Sequence, residues 1–558
     1  MFAELHQTEV NGVRCFWVDS GRPTLSAQLT FRQGMADETL AESGWLHLLE
    51  HLCLHGRGGG ALQVNGSVSA LTTEFSAHGP VEQVALHLGG VARWLAAPDL
   101  RDLERERDVL RAESRLRTGA APRAFVWRYG AAGPGLVGYD DPGLGRATSA
   151  ALAARAARVY TRGNAVLALD GPPPAGLSLA LPDGQLQPAP VAVAVDSGVA
   201  AYVEESGLVL SGVVTRSEHA TVVPDIVRRA LRQRFREQAG GAYAPWSGYE
   251  RVDARHAVVT AGSDISPSLY PELAARVLDL VGRIASEPVP AEWLAEVVAE
   301  RLQAYQDPHN VALPAWRAAS TTILGDPPED LAQLVENTRR LAPDAVQADL
   351  VDFCDSLLLG VPGETAWHDE VPMLTFPTTQ GKPAGKGWRH REWPAEDTTL
   401  RVDASRLSVT EGGTTRELAV SDLAGLYCYP DGARQLVGRD GWALGVDPSQ
   451  WRNGRTAVAA LDAAVPAALH LPQLARHGYR PFQPTPWPRR WGRYLWQSVT
   501  GRWILTVLVA AGIIISPFVV NPLLGTTGTD AAWGGGDVIA LMVIFTIGSF
   551  FLPRPTRR

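Results

Sequence analysis

Two histidines four residues apart, with a glutamate just before the second, form a spacing in this 558-residue chain that could bind a metal ion. They are His47 and His51, and the glutamate is Glu50, in the stretch HLLEH. Residues i and i+4 of a helix lie on one face about one turn apart, so both imidazoles can point at a single ion. Glu50 lies on a neighbouring face, from which its carboxylate can reach a water beside that ion. The pattern H-x-x-E-H therefore indicates a zinc site with an adjacent base.

The same stretch also fits a leucine-rich core helix with incidental histidines, so the metal interpretation needs a third ligand. Glu106 and Glu113 are candidates in the stretch ERERDVLRAE, where they lie seven residues apart, two turns along one helix face. By itself such a charged run is more often a solvated helix face. Its position after the histidine motif, within the same αβ unit, favours a ligand.

Strands and helices alternate from the N-terminus to about residue 370, and the pattern runs twice. The strand TLSAQLTFRQG precedes the histidine helix, and the strand LVLSGVVT precedes the helix VPDIVRRALRQRFREQAG. In each half, a helix, a proline break and a second, longer helix follow. This pattern predicts an α+β fold with two tandem αβ units at 1–175 and 191–375, joined by the proline-rich stretch 171–190.

After about residue 387 the sequence changes to short alternating segments separated by turns. Asp431-Gly432 and Asp440-Gly441 are signals of tight hairpins. We expect a small β-rich domain at 387–480, with a pleckstrin-homology-like fold as one option and no catalytic constellation of its own.

The C-terminal part has the composition of a membrane hairpin, at 503–552. Residues 503–524 include no charged side chain and are long enough to cross a bilayer. The second apolar run, 538–552, is short for a full span unless it borrows preceding residues or the bilayer thins. Arginines flank the outer sides and only acids lie in the connecting loop, which predicts that both ends are cytoplasmic. A buried helical pair in a soluble domain is the alternative.

The net charge and the cysteine content limit which functions and which cellular locations the chain can have. The formal net charge of −8 argues against a general nucleic-acid binder. The four cysteines are scattered without CxxC pairs, and the N-terminus has neither a basic segment nor an apolar run. We therefore expect a multi-pass protein of the cell membrane, with residues 1–480 on the cytoplasmic side.

Three stretches within residues 1 to about 370 resemble the pitrilysin/insulinase (M16) family of zinc metallopeptidases. GMADETLAESGWLHLLEHLCLHG is similar to the family's acidic turn and zinc helix, VNGSVSALTTEFSAHG to the strand beside the active site, and ERERDVLRAE to the helix with the last ligand. The resemblance implies that His47, His51 and Glu113 bind Zn²⁺. It implies that Glu50 is the general base, and that Glu106 orients a histidine or water. The interval between His51 and Glu113 is shorter than is usual for the family.

The resemblance also implies how a peptide is held. Family members add the substrate as a β-strand to an exposed edge, here expected near Ser67 to Thr73, with Ser69 and Ala70 in contact with it. In the second unit, Arg236 and Tyr243 flank a Gly-Gly turn in RFREQAGGAY. The family has an Arg and a Tyr at this spacing, which grip the substrate backbone and the developing oxyanion.

The function implied is a membrane-anchored zinc endopeptidase that hydrolyses short or unfolded peptides. A non-catalytic, peptide-binding or scaffold subunit of a membrane complex is the alternative, and an adaptor role for the β-rich domain is compatible with either. Family members enclose a chamber with four αβ units and this chain supplies two, so we expect a homodimer, with a paralogous heterodimer as the other option.

Overall fold

The histidine motif lies in the first of two αβ units, which are followed by a β-rich region. The computed structural model describes residues 4–114, 120–195, 198–205, 207–365, 367, 370–381, 383–498, 500, 502–504 and 506–507. Their strands form four sheets of six, five, five and four strands.

The first unit is a six-stranded sheet with helices packed against it. The strand order is β1-β2-β6-β3-β5-β4, in which β2 and β6 are parallel and the other pairs antiparallel. Its elements are β1 (His6–Val10), β2 (Val13–Trp17), β3 (Thr24–Phe31), α1 (Trp45–Leu54), β4 (Gln63–Val68), β5 (Thr73–Pro80), α2 (Val81–Ala96), α3 (Leu103–Ser114), α4 (Ala120–Tyr129), α5 (Ser149–Val159) and β6 (Ala165–Leu169).

Hydrophobic periodicity explains how this unit folds. Along β3, the alternate residues Leu25, Ala27 and Leu29 are buried, as expected for a strand with one face on the core. All five residues of β6 are buried, because β6 lies between two other strands and is covered on both faces. The leucines of α1 pack into the same core, which leaves the polar residues of that helix on its opposite face.

The second unit repeats this arrangement without the β1 strand. Its order is β7-β11-β8-β10-β9, with β7 and β11 parallel, so β9 occupies the place that β4 has in the first unit. Its two long helices, α7 and α8, have 17 and 16 residues. The sequence pattern predicted that the second of these helices is longer than the first, and that prediction is wrong for this unit. The elements are β7 (Ala200–Glu204), β8 (Leu208–Thr215), α6 (Val223–Leu231), β9 (Trp246–Arg251), β10 (His256–Ser263), α7 (Tyr270–Ser286), α8 (Ala291–Gln306), α9 (Leu313–Thr322), α10 (Leu331–Arg339), α11 (Pro343–Asp355) and β11 (Leu358–Pro362).

Each unit contributes one helix to the other. Ala315 and Ala318 of α9 pack on Phe16 and Val166 in the first sheet. In return, α4 packs on the second sheet, where the buried Arg128 donates hydrogen bonds to carbonyl groups of that unit. Because of this exchange, buried apolar residues of both units pack together across the interface between them.

Residues 378–473, which follow the two αβ units, are called here the β-rich module. A five-stranded sheet in the order β12-β16-β15-β14-β13 and a four-stranded sheet in the order β19-β18-β17-β20 share a core with α12. Its elements are β12 (Thr378–Gln380), β13 (Lys386–Arg389), β14 (Thr398–Val402), β15 (Arg406–Glu411), β16 (Thr414–Ala419), β17 (Leu423–Cys428), β18 (Arg434–Gly438), β19 (Ala443–Val446), α12 (Gly454–Ala464) and β20 (His470–Pro472). A further helix, α13 (Trp487–Gln497), follows the module.

Among the described residues, none of the helices has the length and apolar character needed to span a bilayer. The predicted spans at 503–524 and 538–552 lie outside the described residues, except for residues 503, 504, 506 and 507.

Candidate metal centre and active site

The start of α1 is fixed by a buried carboxylate. Gly44, before the first residue of the helix, has a φ of 88°, in the left-handed region that glycine tolerates. The Glu38 side chain accepts hydrogen bonds from the backbone N–H groups of Gly44 (3.0 Å) and Leu46 (2.8 Å), which have no partner within the helix. These bonds fix the end of α1 that presents His47.

Four side chains converge on the polar face of α1. His47, Glu50 and His51 each place one possible ligand atom within 4.8 Å of the others. Glu113, on α3, approaches from the side: its carboxylate lies 3.3 Å from Nε2 of His51 and 4.0 Å from Nε2 of His47. Glu50 Oε2 lies 3.8 Å from Nε2 of His51 and 3.9 Å from Nε2 of His47. The structure therefore brings the sequence-predicted ligands and base to one place.

Carboxylates also approach the other ring nitrogen of each histidine. Asp141 Oδ2 lies 3.1 Å from Nδ1 of His47, and Glu106 Oε2 lies 3.6 Å from Nδ1 of His51. Because a carboxylate only accepts hydrogen bonds, the short contact to Asp141 requires a proton on Nδ1 of His47. Nε2 is the atom that faces Glu113.

Glu106 is itself held by a third histidine at the end of the helix. Nδ1 of His55 lies 2.8 Å from Glu106 Oε1, and the His55 Nε2 lies 3.2 Å from the guanidinium of Arg105. The arginine can only donate, so Nε2 accepts and Nδ1 donates to Glu106. Glu106 therefore lies between His55 and the candidate ligand His51.

Burial favours the metal-binding form of His51. Its pKa is lowered, mainly because burial disfavours the imidazolium and because His47 is close, although Glu113 and Glu106 act in the opposite direction. A histidine binds a metal through the neutral ring, so a lower pKa reduces competition from protons.

The donor set fits a zinc ion. Two imidazole nitrogens and a carboxylate are the ligands of a common catalytic zinc site, with bonds of about 2.0–2.2 Å and an open fourth position. Tetrahedral ligands at that bond length are about 3.4 Å apart, close to the 3.3 Å and 4.0 Å between Glu113 and the histidine nitrogens. His47, His51 and Glu113 would therefore hold the ion, with Glu50 beside it.

The edge strand of the first sheet passes directly over Glu50. β4 is the terminal strand, and a Cβ atom on Gly66 would collide with the Glu50 carboxylate. Ser69 N–H donates to Thr72 O at 2.8 Å, and bonded and non-bonded pairs alternate along an antiparallel ladder. That alternation directs the backbone groups of Val64, Gly66 and Val68 away from β5, towards the open edge.

The bounds of this edge differ from the expected ones. We expected a strand near Ser67 to Thr73, but β4 ends at Val68, and Ser69 and Ala70 lie in the turn that follows. Their carbonyl groups accept hydrogen bonds from the N–H groups of Met35 and Ala36, both at 2.9 Å. A side chain on Gly34 would collide with the same carbonyls, so the turn is packed closely against the chain before α1.

The predicted substrate residues of the second unit are exposed on the surface of the chain. Arg236 is exposed on a π-helical turn, Arg232–Glu237, and the Tyr243 side chain is 81% exposed. Among the described residues, no hydrogen bond, ion pair or ring contact joins either side chain to the four clustered residues.

Sequence reasoning missed three residues of the site. Asp141 lies 94 residues from His47 in the chain and belongs to no recognisable motif. His55 was not singled out, although it is one helical turn beyond His51, on the same face. Gly66 was not singled out, and its role depends on a contact between a strand and a helix.

Comparisons with known proteins identify the fold and no more. No protein-family model matches the sequence, and no curated protein is significantly similar to it. Solved structures do match. A protease from Helicobacter pylori is 15% identical with a TM-score of 0.54, and the match covers 65% of this chain and 100% of that one.

Two further matches point to the same class. An inactive M16 peptidase domain from Pseudomonas fluorescens is 15% identical with a TM-score of 0.54, and the match covers 66% of this chain and 100% of the domain. Pitrilysin is 15% identical with a TM-score of 0.50, with 64% of this chain and 45% of pitrilysin covered. The fold is that of M16 peptidases, and it is shared by active and inactive proteins.

Proposed function

We propose that this chain is a zinc metalloendopeptidase of the M16 type that cleaves short or unfolded peptides. The observation that carries the proposal is the convergence of His47, His51 and Glu113 around one point, with Glu50 beside them, under an open sheet edge. A core helix with incidental histidines would not require carboxylates at both outer ring nitrogens.

Each residue has a defined task in this mechanism. Zinc held by His47, His51 and Glu113 would supply Lewis acidity and make the attacking water more acidic. Glu50 takes a proton from the attacking water and donates it to the leaving amine. The proposed roles of Arg236 and Tyr243, holding the substrate backbone and the oxyanion, require that another subunit brings them to the site.

The open edge of β4 defines the substrate class. Backbone groups of Val64, Gly66 and Val68 point outward, so an extended peptide can add to the sheet and be recognised through its main chain. Only an unfolded or short chain offers a free strand of this kind. Ser69, in the turn, would contact one end of the bound peptide, whereas the predicted contact at Ala70 would require the turn to rearrange, because Ala70 is 2% exposed.

Two further parts of the proposal concern the setting of the enzyme. Residues 503–552 would anchor it in the cell membrane as a hairpin, with the peptidase units on the cytoplasmic side. Two chains would combine as a homodimer, or one chain with a paralogue, to provide four αβ units.

The Glu50→Gln variant tests the mechanism. The amide cannot accept the proton of water but occupies nearly the same volume, so we expect wild-type zinc content and a loss of peptide hydrolysis of 100-fold or more. Zinc is measured by metal analysis of the purified full-length protein, and hydrolysis with an unstructured fluorogenic peptide. Glu104→Gln, an exposed change on α3, is the control and should keep both properties.

Equal hydrolysis by Glu50→Gln and wild type would remove Glu50 as the base. A wild-type protein that binds zinc but cleaves no unstructured peptide would favour the alternative, a non-catalytic peptide-binding or scaffold subunit. The similarity to an inactive M16 domain supports that alternative. The presence of both histidines, the third ligand and the base in this chain supports the enzyme.

A further inference from the structure

Asp141 belongs to a loop that reaches the metal centre from behind. The residue has a φ of 48° and a ψ of 50°, its side chain is 2% exposed, and the short helical turn Pro142–Arg146 follows it. Its bond to Nδ1 fixes both the tautomer and the ring orientation of His47. The position of His47 Nε2 therefore depends on where this loop is held.

One side of the loop is docked on the start of α1. The indole N–H of Trp45 donates to the carbonyl of Gly143 at 3.1 Å, and Gly143 N–H donates to Ser43 O at 3.1 Å. A Cβ atom on Gly44 would lie 2.6 Å from that of Asp141, so the contact is as close as the backbone allows.

The other side of the loop is docked on the β-rich module. The Arg146 guanidinium donates to the carbonyl groups of Ala467 (3.0 Å) and His470 (3.1 Å), and the Gln473 amide donates to Pro142 O at 3.0 Å. An apolar cluster covers the same interface and contains Leu40, Ala131, Leu136, Val437 and Leu471. The loop is therefore packed between α1 on one side and the β-rich module on the other.

We infer that Asp141 is a positioning residue for His47, and that the β-rich module acts as a clamp that keeps Asp141 in place. The module would then be part of the metal centre's support, whatever else it binds. This inference rests on the proposed zinc site. It predicts that zinc affinity depends on residues of the loop and of the module that never touch the ion.

Asp141→Asn is the direct test. Asparagine tolerates the left-handed backbone and can still accept a hydrogen bond, so the loop should keep its conformation while the negative charge is lost. We expect the zinc affinity of the full-length protein, measured by competition with a chromogenic chelator, to fall 10- to 100-fold with an unchanged melting temperature of the metal-free protein. The visible spectrum of the cobalt-substituted protein should also change. Asp140→Asn, on the neighbouring exposed residue, is the matched control and should bind zinc as wild type does.

A double-mutant cycle tests the clamp. We expect Arg146→Ala combined with Gln473→Ala to weaken zinc binding about 3- to 10-fold in the otherwise wild-type protein. In the Asp141→Asn background the same pair of changes should weaken zinc binding little further, because the loop and the module both act through the contact between Asp141 and His47. Arg406→Ala, which removes an ion pair within the module, is the control.

The outcomes separate this inference from the proposed function. A wild-type protein that binds no zinc overturns both. Zinc binding by wild type with an unchanged affinity in Asp141→Asn overturns the positioning role alone. Full additivity of the loop and module changes overturns the clamp.

Discussion

Glu50 can take its position because the residue opposite, Gly66 on β4, has no side chain. Any Cβ atom there would occupy the space of the Glu50 carboxylate. The backbone of Gly66 also faces the open edge. Gly66 therefore lies between Glu50, the proposed base, and the expected path of the peptide. The three atoms nearest to such a Cβ atom all belong to Glu50.

At the residue scale we predict that Gly66→Ala separates metal binding from catalysis. The methyl group should displace Glu50, and a displacement of about 1 Å can cost 100-fold in rate. We expect normal zinc content by metal analysis and a 10- to 100-fold lower kcat in the peptide assay. The matched control is Gly445→Ala, on strand β19, where a Cβ atom meets no neighbour within 4 Å. Unchanged kcat in Gly66→Ala would show that Glu50 does not need this space.

At the element scale, the orientation of α1 depends on Glu38. Its carboxyl group is fully buried at the helix start, and burial raises its pKa to about 8 although two backbone N–H groups favour the anion. A carboxyl group with a raised pKa binds its proton more tightly in the folded state than in the unfolded chain. Its contribution to stability is therefore full below about pH 4.5 and is lost as the pH rises through about 8.

We predict that Glu38→Gln removes this pH dependence. The amide stays neutral at every pH, so wild type should lose stability relative to the variant as the pH rises between about 5 and 8. The limiting slope is about 1.4 kcal/mol per pH unit for one proton. Urea unfolding at pH 5.5, 7.0 and 8.5 measures the difference, with Glu104→Gln as the exposed control. Parallel curves for wild type and Glu38→Gln would contradict a raised pKa in the folded protein.

At the scale of the whole molecule, the proposed zinc centre and the Arg/Tyr pair lie on different units that exchange helices. Such interlocked packing leaves little freedom for the two units to close on each other. Arg236 and Tyr243 are exposed and have no bond to the cluster among the described residues. Under the proposed function, a second chain would complete the site, and two copies would provide the four units of a closed chamber.

We predict that this arrangement gives complementation between two inactive variants. Glu50→Gln and Tyr243→Phe chains should each be nearly inactive alone. After equal mixing with random exchange, half of the dimers are mixed and one of their two sites is intact, so about a quarter of wild-type activity should return. Subunit exchange is verified separately with differently tagged chains. Verified exchange without recovered activity would place both halves of the site in one chain or require a different partner.

Local periodicity explains which parts were predictable. The strands β3 and β8 and the helix α1 were predicted because their patterns of apolar residues have the period of a strand or a helix. The spacing of His47, Glu50 and His51 is fixed by helix geometry alone, and so is the shared face of Glu106 and Glu113. These contacts lie within one or two turns of helix, where sequence distance and spatial distance correspond.

Contacts between distant segments were decided only by the tertiary structure. Asp141 contacts His47 although the two residues are 94 positions apart in the chain. Gly66, on a strand, leaves space for Glu50, on a helix. The β-rich module packs against the loop that contains Asp141 and Arg146. The same packing ended the edge strand at Val68 and left Arg236 and Tyr243 exposed. The sequence by itself determined which candidate ligands lie on one face of a helix, because the geometry of a helix is fixed. The supports of those ligands come from chain segments whose approach is set by the packing of whole units, which no local pattern encodes.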